Sequence, residues 1–418
     1  MVDIQGFQIL SKIHESAGSI VCHAMRSRDQ KHVIVKLLNK EYPTMSELNR
    51  FRREYEIIRI LDKIPGVIGG CGIEPHKNTL MMLLEYMDGE PLKKWIRPTG
   101  MPLYEALPIF IAITGILGRI HQKNVIHKDL NPANILMNPS TGEIKIIDFG
   151  LSTVLSLENP EAKDPGEIEG SLAYISPEQT GRMNRSLDYR TDFYSLGVMF
   201  YEVLTGRLPF AGSDPVEMIH CHIAKSPISP RGINRNIPAV LSDIVTKLMS
   251  KTAGERYQSA WGIQHDLRQC LEGLGAAGAV APFTLGRQDI PDKFQLPGKL
   301  YGREREIDRL LEAFDRAAGG RREMVLVYGP SGIGKSFLAR EMSKPVALRK
   351  GHYIYGKFDE LHKNFPYSAL IDALRGLIRQ ILTESETELD RWRNGLFKAF
   401  GGHGKLISAA SKTSRTCA

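Results

Sequence analysis

The sequence predicts an α+β chain of two lobes, a small lobe rich in strands and a larger helical lobe, followed by an incomplete α/β domain. Two observations support this prediction. β-rich segments occur up to residue 86, whereas helical periodicity dominates from Glu105 to Ile263. Beyond residue 300, a helix, an apolar segment, a glycine-rich turn and a second helix follow in the order typical of the start of a parallel sheet.

The composition is that of an ordinary folded chain. Its 418 residues suggest about two or three domains. Hydrophobic residues make up 42% and charged residues 24%, values that exclude a disordered or fibrous chain. The 55 basic residues exceed the 47 acidic ones by 8, which is too mild an excess to indicate a nucleic-acid partner. We therefore expect no nucleic acid among its partners.

Cysteine spacing and apolar runs bear on the location of the chain. The five cysteines lie far apart without a C-x-x-C pair, which indicates neither a disulfide framework nor a zinc site. The N-terminus lacks the basic start and apolar core of a signal peptide. The longest apolar stretch, Leu107–Leu117, is too short to cross a bilayer. These patterns predict a cytoplasmic chain with no membrane span.

The small lobe is predicted over residues 1–86 and the large lobe over 87–270, together one domain of 1–270. Three segments of the small lobe have the composition of strands, namely 7–10, 32–36 and 80–84. Between the last two, Ser46 to Leu61 has helical spacing, with its apolar residues on one side. Ser46 and Asn49 give only a partial capping signal for this helix.

The large lobe carries side chains that phosphoryl transfer needs. This reaction depends on positioning and charge neutralisation, through a lysine on the phosphates, oxygen ligands for Mg2+ and a carboxylate near the attacking hydroxyl. The segment His127-Lys-Asp-Leu-Asn-Pro-Ala-Asn134 offers Asp129 as the base and Asn134 as a metal ligand. After a strand at 143–147, Asp148, in Asp-Phe-Gly, supplies a second metal ligand. The sequence thus predicts a Mg2+-dependent phosphotransferase site.

Over residues 7–271 these motifs resemble the eukaryotic-type protein kinase family. The resemblance implies that Lys36, in Val-Ile-Val-Lys, binds the α- and β-phosphates of ATP and is held by Glu54. Glu56 points about 200° around the helix from Glu54 and cannot serve the same face. In the hinge between the lobes, backbone groups of Glu85 and Met87 would hold adenine.

The resemblance extends to the substrate side. Residues 170–178 resemble the end of an activation segment, where Ser171 stands in for a threonine that would hydrogen-bond the catalytic aspartate. Asp192 and Arg256 would be structural anchors, with Arg256 pairing with Glu178. The implied substrates are protein Ser/Thr hydroxyls. Autophosphorylation is also expected, and its candidate sites are Ser152, Thr153, Ser156 and Ser171.

Four positions depart from the family pattern. The glycine-rich loop keeps only Gly18 of three glycines, which reduces close backbone approach to the phosphates. Lys128 replaces the catalytic-loop arginine and lacks its bidentate fork. Asn131 replaces a lysine, which weakens one contact to the transferred phosphate, and Ser176 replaces alanine. An active kinase and a nucleotide-binding pseudokinase that scaffolds partners both remain open, and we favour the active kinase.

A linker and a second nucleotide site are predicted after the large lobe. Residues 271–299 are rich in Gly, Ala and Pro and have no sustained period, which indicates a linker. Arg303–Ala318 has helical spacing, Met324–Tyr328 is expected to form a buried strand, and a helix is expected from Phe337. These elements would flank the next motif.

Residues 329–336 match the P-loop pattern G-x-x-x-x-G-K-[ST]. Its glycines would turn backbone N–H groups toward phosphate, Lys335 would reach the β- and γ-phosphates, and Ser336 would ligate Mg2+. The phosphate-binding glycines are Gly329, Gly332 and Gly334. With Leu300-Tyr-Gly-Arg-Glu-Arg-Glu306 before it, the segment resembles an AAA-type ATPase module.

The module is predicted over 300–402 and lacks the acid-terminated second strand that hydrolysis requires. We therefore expect nucleotide binding without hydrolysis, and a nucleotide-dependent switch is a third reading of the chain. Residues 403–418 are expected to be an unfolded tail. The order of domains resembles the N-terminal part of bacterial, cyanobacterial-type hybrid Ser/Thr kinase–ATPase–sensor histidine kinases. The abrupt change after about Gly401, where the module stops before its acidic strand, suggests the hypothesis of a truncated or frame-altered form of a longer protein.

Overall fold

The chain forms two compact units, the first containing residues 1–180, 185–213 and 218–298 and the second residues 181–184, 214–217 and 299–418. The fold is known from a computed structural model. It describes residues 4–16, 18–154, 170–180, 187–212, 214–277, 280–290, 302–330, 333–342, 345–346, 349, 351–356, 367–381, 391–393 and 395.

The small lobe is a five-stranded antiparallel sheet in the order β1-β2-β3-β5-β4. Its strands are β1 (Phe7–Glu15), β2 (Ser19–Arg26), β3 (Lys31–Leu38), β4 (Gly70–His76) and β5 (Thr79–Glu85). Alternation fixes the faces of β3, because Val33, Val35 and Leu37 are buried on one side. Lys36 therefore projects from the other side.

One helix, α1 (Met45–Ile60), packs beside this sheet and buries Phe51, Ile57 and Ile58. Its cap differs from the sequence expectation. Thr44 accepts a hydrogen bond from the backbone N–H of Glu47, and the Glu47 carboxylate accepts from the backbone N–H of Thr44. This capping box begins the helix before Ser46, because the Thr-x-x-Glu pattern satisfies two N-terminal donors at once.

The large lobe is mainly helical, as the sequence predicted. Its helices are α2 (Leu103–Gln122), α3 (Arg190–Thr205), α4 (Pro215–Ala224), α5 (Pro230–Ile233), α6 (Ala239–Leu248) and α7 (Ala260–Ala277). Five short strands, β6 to β10, form a three-stranded sheet and a pair, and they are Glu90–Pro91, Val125–Ile126, Ile135–Met137, Ile144–Ile146 and Thr153–Val154. Buried α3 lies at the centre of this lobe.

The helix α2 is longer than the apolar stretch from which it was predicted. Among the residues that the structure describes, it is the one helix long and apolar enough to cross a membrane. Half of its apolar window is buried inside the protein. Leu107, Phe110, Ile113 and Leu117 are fully buried in the core of the large lobe, as in an ordinary core helix.

The segment predicted as a linker differs from that expectation. Helix α7 continues to Ala277, and Val280, Phe283 and Leu285 pack against the core of the large lobe. Asp289 accepts hydrogen bonds from the backbone N–H groups of Gln258 (2.7 Å) and Ser259 (2.8 Å), which lie just before α7. Composition did not reveal this docking, because it depends on a contact across about thirty residues of chain.

In the second unit the described helices are α8 (Glu304–Ala318), α9 (Lys335–Glu341) and α10 (Ser368–Ile381). The first two agree with the predicted positions. The prediction of a buried strand at Met324–Tyr328 is wrong for this structure, since the segment is irregular and Met324 is 90% exposed. A strand needs a neighbour for its backbone, and the described residues of this unit contain no strand that could pair with it.

Candidate active site

Two acidic side chains share one lysine at the junction of strand, helix and loop. Lys36 Nζ on β3 donates to Glu54 Oε1 on α1 at 2.7 Å and to Asp148 Oδ1 at 3.1 Å. Glu54 is only 5% exposed, whereas Glu56 is exposed. The expected pairing of Lys36 with Glu54 is therefore confirmed. The two carboxylates hold the Lys36 ammonium in a fixed position.

The charges of this cluster depend on each other. Burial alone would lower the pKa of Lys36, but the carboxylates of Glu54 and Asp148 outweigh it and raise that pKa. Burial and the nearby Asp148 charge raise the pKa of Glu54. Burial also opposes ionisation of Asp148, but the Lys36 ammonium holds the pKa of Asp148 below its usual range. Asp148 is thus ionised and suited to a cation.

The expected base lies on a loop held by hydrogen bonds. The Asn134 amide Nδ2 donates to the backbone oxygen of Asp129 at 2.8 Å and to its Oδ2 at 3.2 Å. Asp192 accepts from the backbone N–H groups of His127 (2.9 Å) and Lys128 (2.8 Å), which confirms it as an anchor. The structure therefore brings Asp129 and Asn134 into direct contact.

The contact between Ser171 and Asp129 differs from the one expected. It is the backbone N–H of Ser171 that donates to Asp129 Oδ1, at 2.8 Å. The Ser171 hydroxyl instead accepts from the Asn131 side chain at 3.3 Å. Asn131 Oδ1 also accepts from the N–H of Ala133, because Asn131 caps the 3-10 turn Pro132–Asn134. Both the nitrogen and the oxygen of the Asn131 side-chain amide are therefore engaged in hydrogen bonds.

The chemistry of the ligands fits Mg2+. Mg2+ prefers oxygen ligands and commonly takes one or two from protein and the rest from phosphate and water. Asn134 offers an amide oxygen and Asp148 a carboxylate oxygen. Asn134 contacts Asp129 through its Nδ2 atom, so these contacts do not use its amide oxygen. Within the described residues, no group of three or more His, Cys, Asp and Glu side chains is placed to hold a metal ion.

The turn between β1 and β2 includes Gly18, where a glycine-rich loop was expected. The Ser16 hydroxyl accepts from the backbone N–H groups of Gly18 (3.3 Å) and Ser19 (3.1 Å). The Asn39 side chain donates to the Ser16 carbonyl at 2.7 Å, and its backbone N–H donates to the Gly18 carbonyl at 3.1 Å. Backbone donors that could face phosphate are therefore engaged within the turn.

In the segment predicted as the hinge, Glu85 is the last residue of β5 and Met87 follows two residues later. The Glu85 carboxylate accepts from the backbone N–H of Gly69 at 2.7 Å and from the ammonium of Lys145 on β9. Met87 is buried. The side-chain role of Glu85 was missed by sequence reasoning, which considered its backbone alone. Its ion pair with Lys145 fastens the hinge to the β8–β9 hairpin.

An ion pair anchors the end of the activation segment, as predicted. Arg256 donates to both oxygens of Glu178, at 2.5 and 2.8 Å, and both side chains are buried. Burial would raise the pKa of Glu178, but the Arg256 guanidinium outweighs it and lowers that pKa. The expected pairing of Arg256 with Glu178 is confirmed.

Two of the expected autophosphorylation sites are inaccessible in this structure. Ser152 and Thr153 are buried. The Ser152 hydroxyl donates to the His127 carbonyl at 3.0 Å, and the Thr153 hydroxyl accepts from Arg53 of α1 at 2.7 Å. Ser156 lies outside the described residues, and Ser171 is half-buried.

The P-loop is described in part. Gly329 and Gly334 have positive φ angles of 155° and 93°, which favour glycine at both positions. Lys335 Nζ donates to the carbonyls of Gly329 and Pro330, each at 2.8 Å, and Ser336 lies in the first turn of α9. Gly332 lies outside the described residues. The lysine therefore curls back over the loop that would hold phosphate.

The two lobes and the Lys36 cluster have the arrangement typical of a nucleotide-dependent phosphotransferase. Comparison with protein-family models agrees, since the protein kinase domain model matches residues 7–267 and the AAA ATPase domain model matches residues 299–415. The kinase model covers more than half of the chain. The chain belongs to the protein kinase domain family and continues into an AAA ATPase domain. Members of these two families use ATP with Mg2+.

Curated relatives are similar over more than half of the chain. "Hybrid signal transduction histidine kinase G" of Dictyostelium discoideum is 37% identical over 255 residues, which is 56% of this chain and 7% of the relative. A probable serine/threonine-protein kinase of Clostridium perfringens is 34% identical over 63% of this chain and 38% of its own length. Serine/threonine-protein kinase PknB of Mycobacterium tuberculosis is 31% identical, over 63% and 41%. The chain therefore spans less than half of each of these relatives.

Proposed function

We propose that the chain is an ATP-dependent protein serine/threonine kinase of bacterial signal transduction, acting in the cytoplasm. The observation that supports this most strongly is the shared contact of Lys36 with Glu54 and Asp148. A lysine held there is placed for phosphate without nucleotide having to assemble the cluster. The relatives named serine/threonine-protein kinases, from Clostridium perfringens and Mycobacterium tuberculosis, support the same class of activity.

In this proposal each residue has one role. Asp129 orients the substrate hydroxyl and accepts its proton as the oxygen attacks the γ-phosphate of ATP. Lys36 holds the α- and β-phosphates, and Glu54 holds Lys36. Asn134 and Asp148 would hold Mg2+, which neutralises phosphate charge when bound. Glu85 and Met87 would bind adenine through backbone groups, and Gly18 would lie over the phosphates.

The proposed substrates are Ser and Thr hydroxyls of proteins, including this protein itself. Ser171 beside Asp129, and Pro132 after Asn131, support this class rather than tyrosine. We place the kinase domain in the first unit and the AAA-type module from about residue 300. In that module Gly329, Gly332, Gly334, Lys335 and Ser336 would hold a second nucleotide, with Ser336 on Mg2+.

Two observations favour alternative functions. The turn closed by Ser16 engages the N–H groups of Gly18 and Ser19, which favours a pseudokinase that holds nucleotide weakly and scaffolds partners. Lys335 folded onto the carbonyls of Gly329 and Pro330 favours a switch, because phosphate would have to draw the lysine away.

Transfer of labelled γ-phosphate from Mg-ATP tests the kinase proposal. The full chain, Asp129→Asn and Lys335→Ala would be incubated alone and with a Ser/Thr-rich protein. Label lost in Asp129→Asn and kept in Lys335→Ala is the expected result. No transfer by the unaltered chain, with ATP still bound, would overturn the kinase proposal in favour of the pseudokinase. Nucleotide binding lost only in Lys335→Ala would instead support the switch.

A further inference from the structure

The peptide just before the expected base adopts an unfavourable conformation. Lys128 has a φ angle of 69°, in the left-handed region that side-chain-bearing residues rarely occupy. Its N–H is fixed by the Asp192 carboxylate, and its carbonyl accepts a hydrogen bond from Gln179 Nε2 at 2.7 Å. The peptide groups on both sides of this residue therefore have a partner. Such a conformation persists only where surrounding contacts hold it.

The orientation of the Gln179 amide is fixed by two different partners. Its oxygen Oε1 accepts from the backbone N–H of Ser176 at 3.1 Å, while Nε2 donates to the Lys128 carbonyl. Exchanging the two amide atoms would place like groups against each other at both ends. Gln179 belongs to the 3-10 turn Pro177–Thr180, so it joins the end of the activation segment to the catalytic loop.

Close packing around this contact supports a specific role. Gly170 has a φ angle of 106°, and a Cβ built on it would lie 3.3 Å from the Lys128 carbonyl oxygen and 3.9 Å from Gln179 Nε2. The next residue, Ser171, donates its N–H to Asp129 Oδ1. Asp129 is thus held at its carboxylate by Ser171, while the peptide that precedes it is held by Gln179.

We propose that Gln179 is a positioning residue for Asp129. By holding the Lys128 carbonyl, it fixes the plane of the peptide that connects Lys128 to Asp129, and that plane sets the direction in which the Asp129 side chain leaves the backbone. Gln179 contacts no reacting atom. This inference rests on the proposed kinase function and adds that the segment next to the protein substrate orients the base.

Steady-state kinetics of the full chain test the inference. In Gln179→Ala the donor is lost, and in Gln179→Glu a carboxylate of the same shape can only accept. We expect both variants to lower kcat by about tenfold with the KM for ATP unchanged, since a small misplacement of a catalytic group is costly. Ser176→Ala is the matched control, because it alters a buried neighbour but keeps the backbone N–H and the Gln179 amide. Unchanged kcat in both Gln179 variants would overturn the inference.

Amide hydrogen exchange gives a second test that does not need catalysis. Faster exchange in a peptide covering 127–131 is expected in both Gln179 variants and not in Ser176→Ala. If the unaltered chain transfers no phosphate, the proposed function fails, and exchange alone then decides the inference. Equal exchange in all four proteins would overturn it. A lower melting temperature with kcat and exchange unchanged would show a merely structural role for Gln179 and would also overturn it.

Discussion

The buried histidine of α4 should make this protein sensitive to mild acid. His222 is fully buried, and its Nδ1 lies 3.0 Å from the Tyr194 hydroxyl. Its ring packs edge-on against Phe210. Burial, and then the nearby ammonium of Lys251, lower the pKa of His222 from 6.5 to about 4. The imidazole is therefore neutral in the folded state at pH values where it is charged in the unfolded chain.

The sign and size of the effect follow from proton linkage. Between pH 6.5 and about 4 the unfolded state binds a proton at His222 that the folded state does not. Stability is therefore fully present above pH 6.5 and falls as the pH is lowered toward 4. From pH 7 to pH 5 the unfolded histidine titrates through about 1.5 pH units, which corresponds to a loss of about 2 kcal/mol.

Urea unfolding of the full chain and of His222→Gln at pH 7, 6 and 5 measures this loss. Glutamine does not titrate and can still bond to the Tyr194 hydroxyl. Carboxylates such as Glu178 contribute equally to both proteins, so the difference between them isolates the histidine. We expect the unaltered chain to lose about 2 kcal/mol more than the variant between pH 7 and pH 5. Parallel losses in the two proteins would refute the reasoning.

Three further predictions concern contacts that hold the first unit. Asp289→Ala removes the acceptor of the N–H groups before α7 and should lower the free energy of unfolding, measured in urea, by about 1–2 kcal/mol. An unchanged free energy of unfolding would show that this contact of the docked segment adds no stability. Arg53→Ala and Thr153→Val should each lower kcat, and the double variant should lose no more than either one, whereas additive losses would contradict a direct coupling. Arg256→Lys breaks the paired hydrogen bonds to Glu178 and should lower the free energy of unfolding, measured by thermal unfolding, by about 3 kcal/mol. Little change would show that a single hydrogen bond to Glu178 is sufficient.

Local motifs allowed much of the site to be predicted from sequence. The pairing of Lys36 with Glu54 was implied by the resemblance to a family, and helical spacing then excluded Glu56 from the same face. Arg256 and Glu178 were paired through the resemblance to a family. Contacts of the loops were less visible. Nothing in the spacing of Ser16 and Asn39 indicates that they close one turn, since these positions meet only when β1, β2 and β3 pair.

Contacts of long range explain the remaining differences. Asp289 lies in a stretch whose composition indicates a linker, yet its carboxylate meets the N–H groups that precede α7. Composition reports the average tendency of a segment and not a single charged contact. In the segment 324–328, by contrast, the sequence predicts a strand that the structure does not contain. Its apolar residues have the propensity for a strand, but a strand also needs a neighbouring chain, and propensity contains no information about that neighbour.

Two of the four departures from the family pattern have a common electrostatic consequence. The charge of Lys36 is already shared between the carboxylates of Glu54 and Asp148. Asn131 stands where a lysine was expected, and its amide is used within the loop. The turn of Ser16 engages backbone donors that would otherwise face phosphate. These two departures remove a lysine and backbone donors from the protein side of the site, so charge on a bound triphosphate must be balanced largely by the metal that Asn134 and Asp148 would hold.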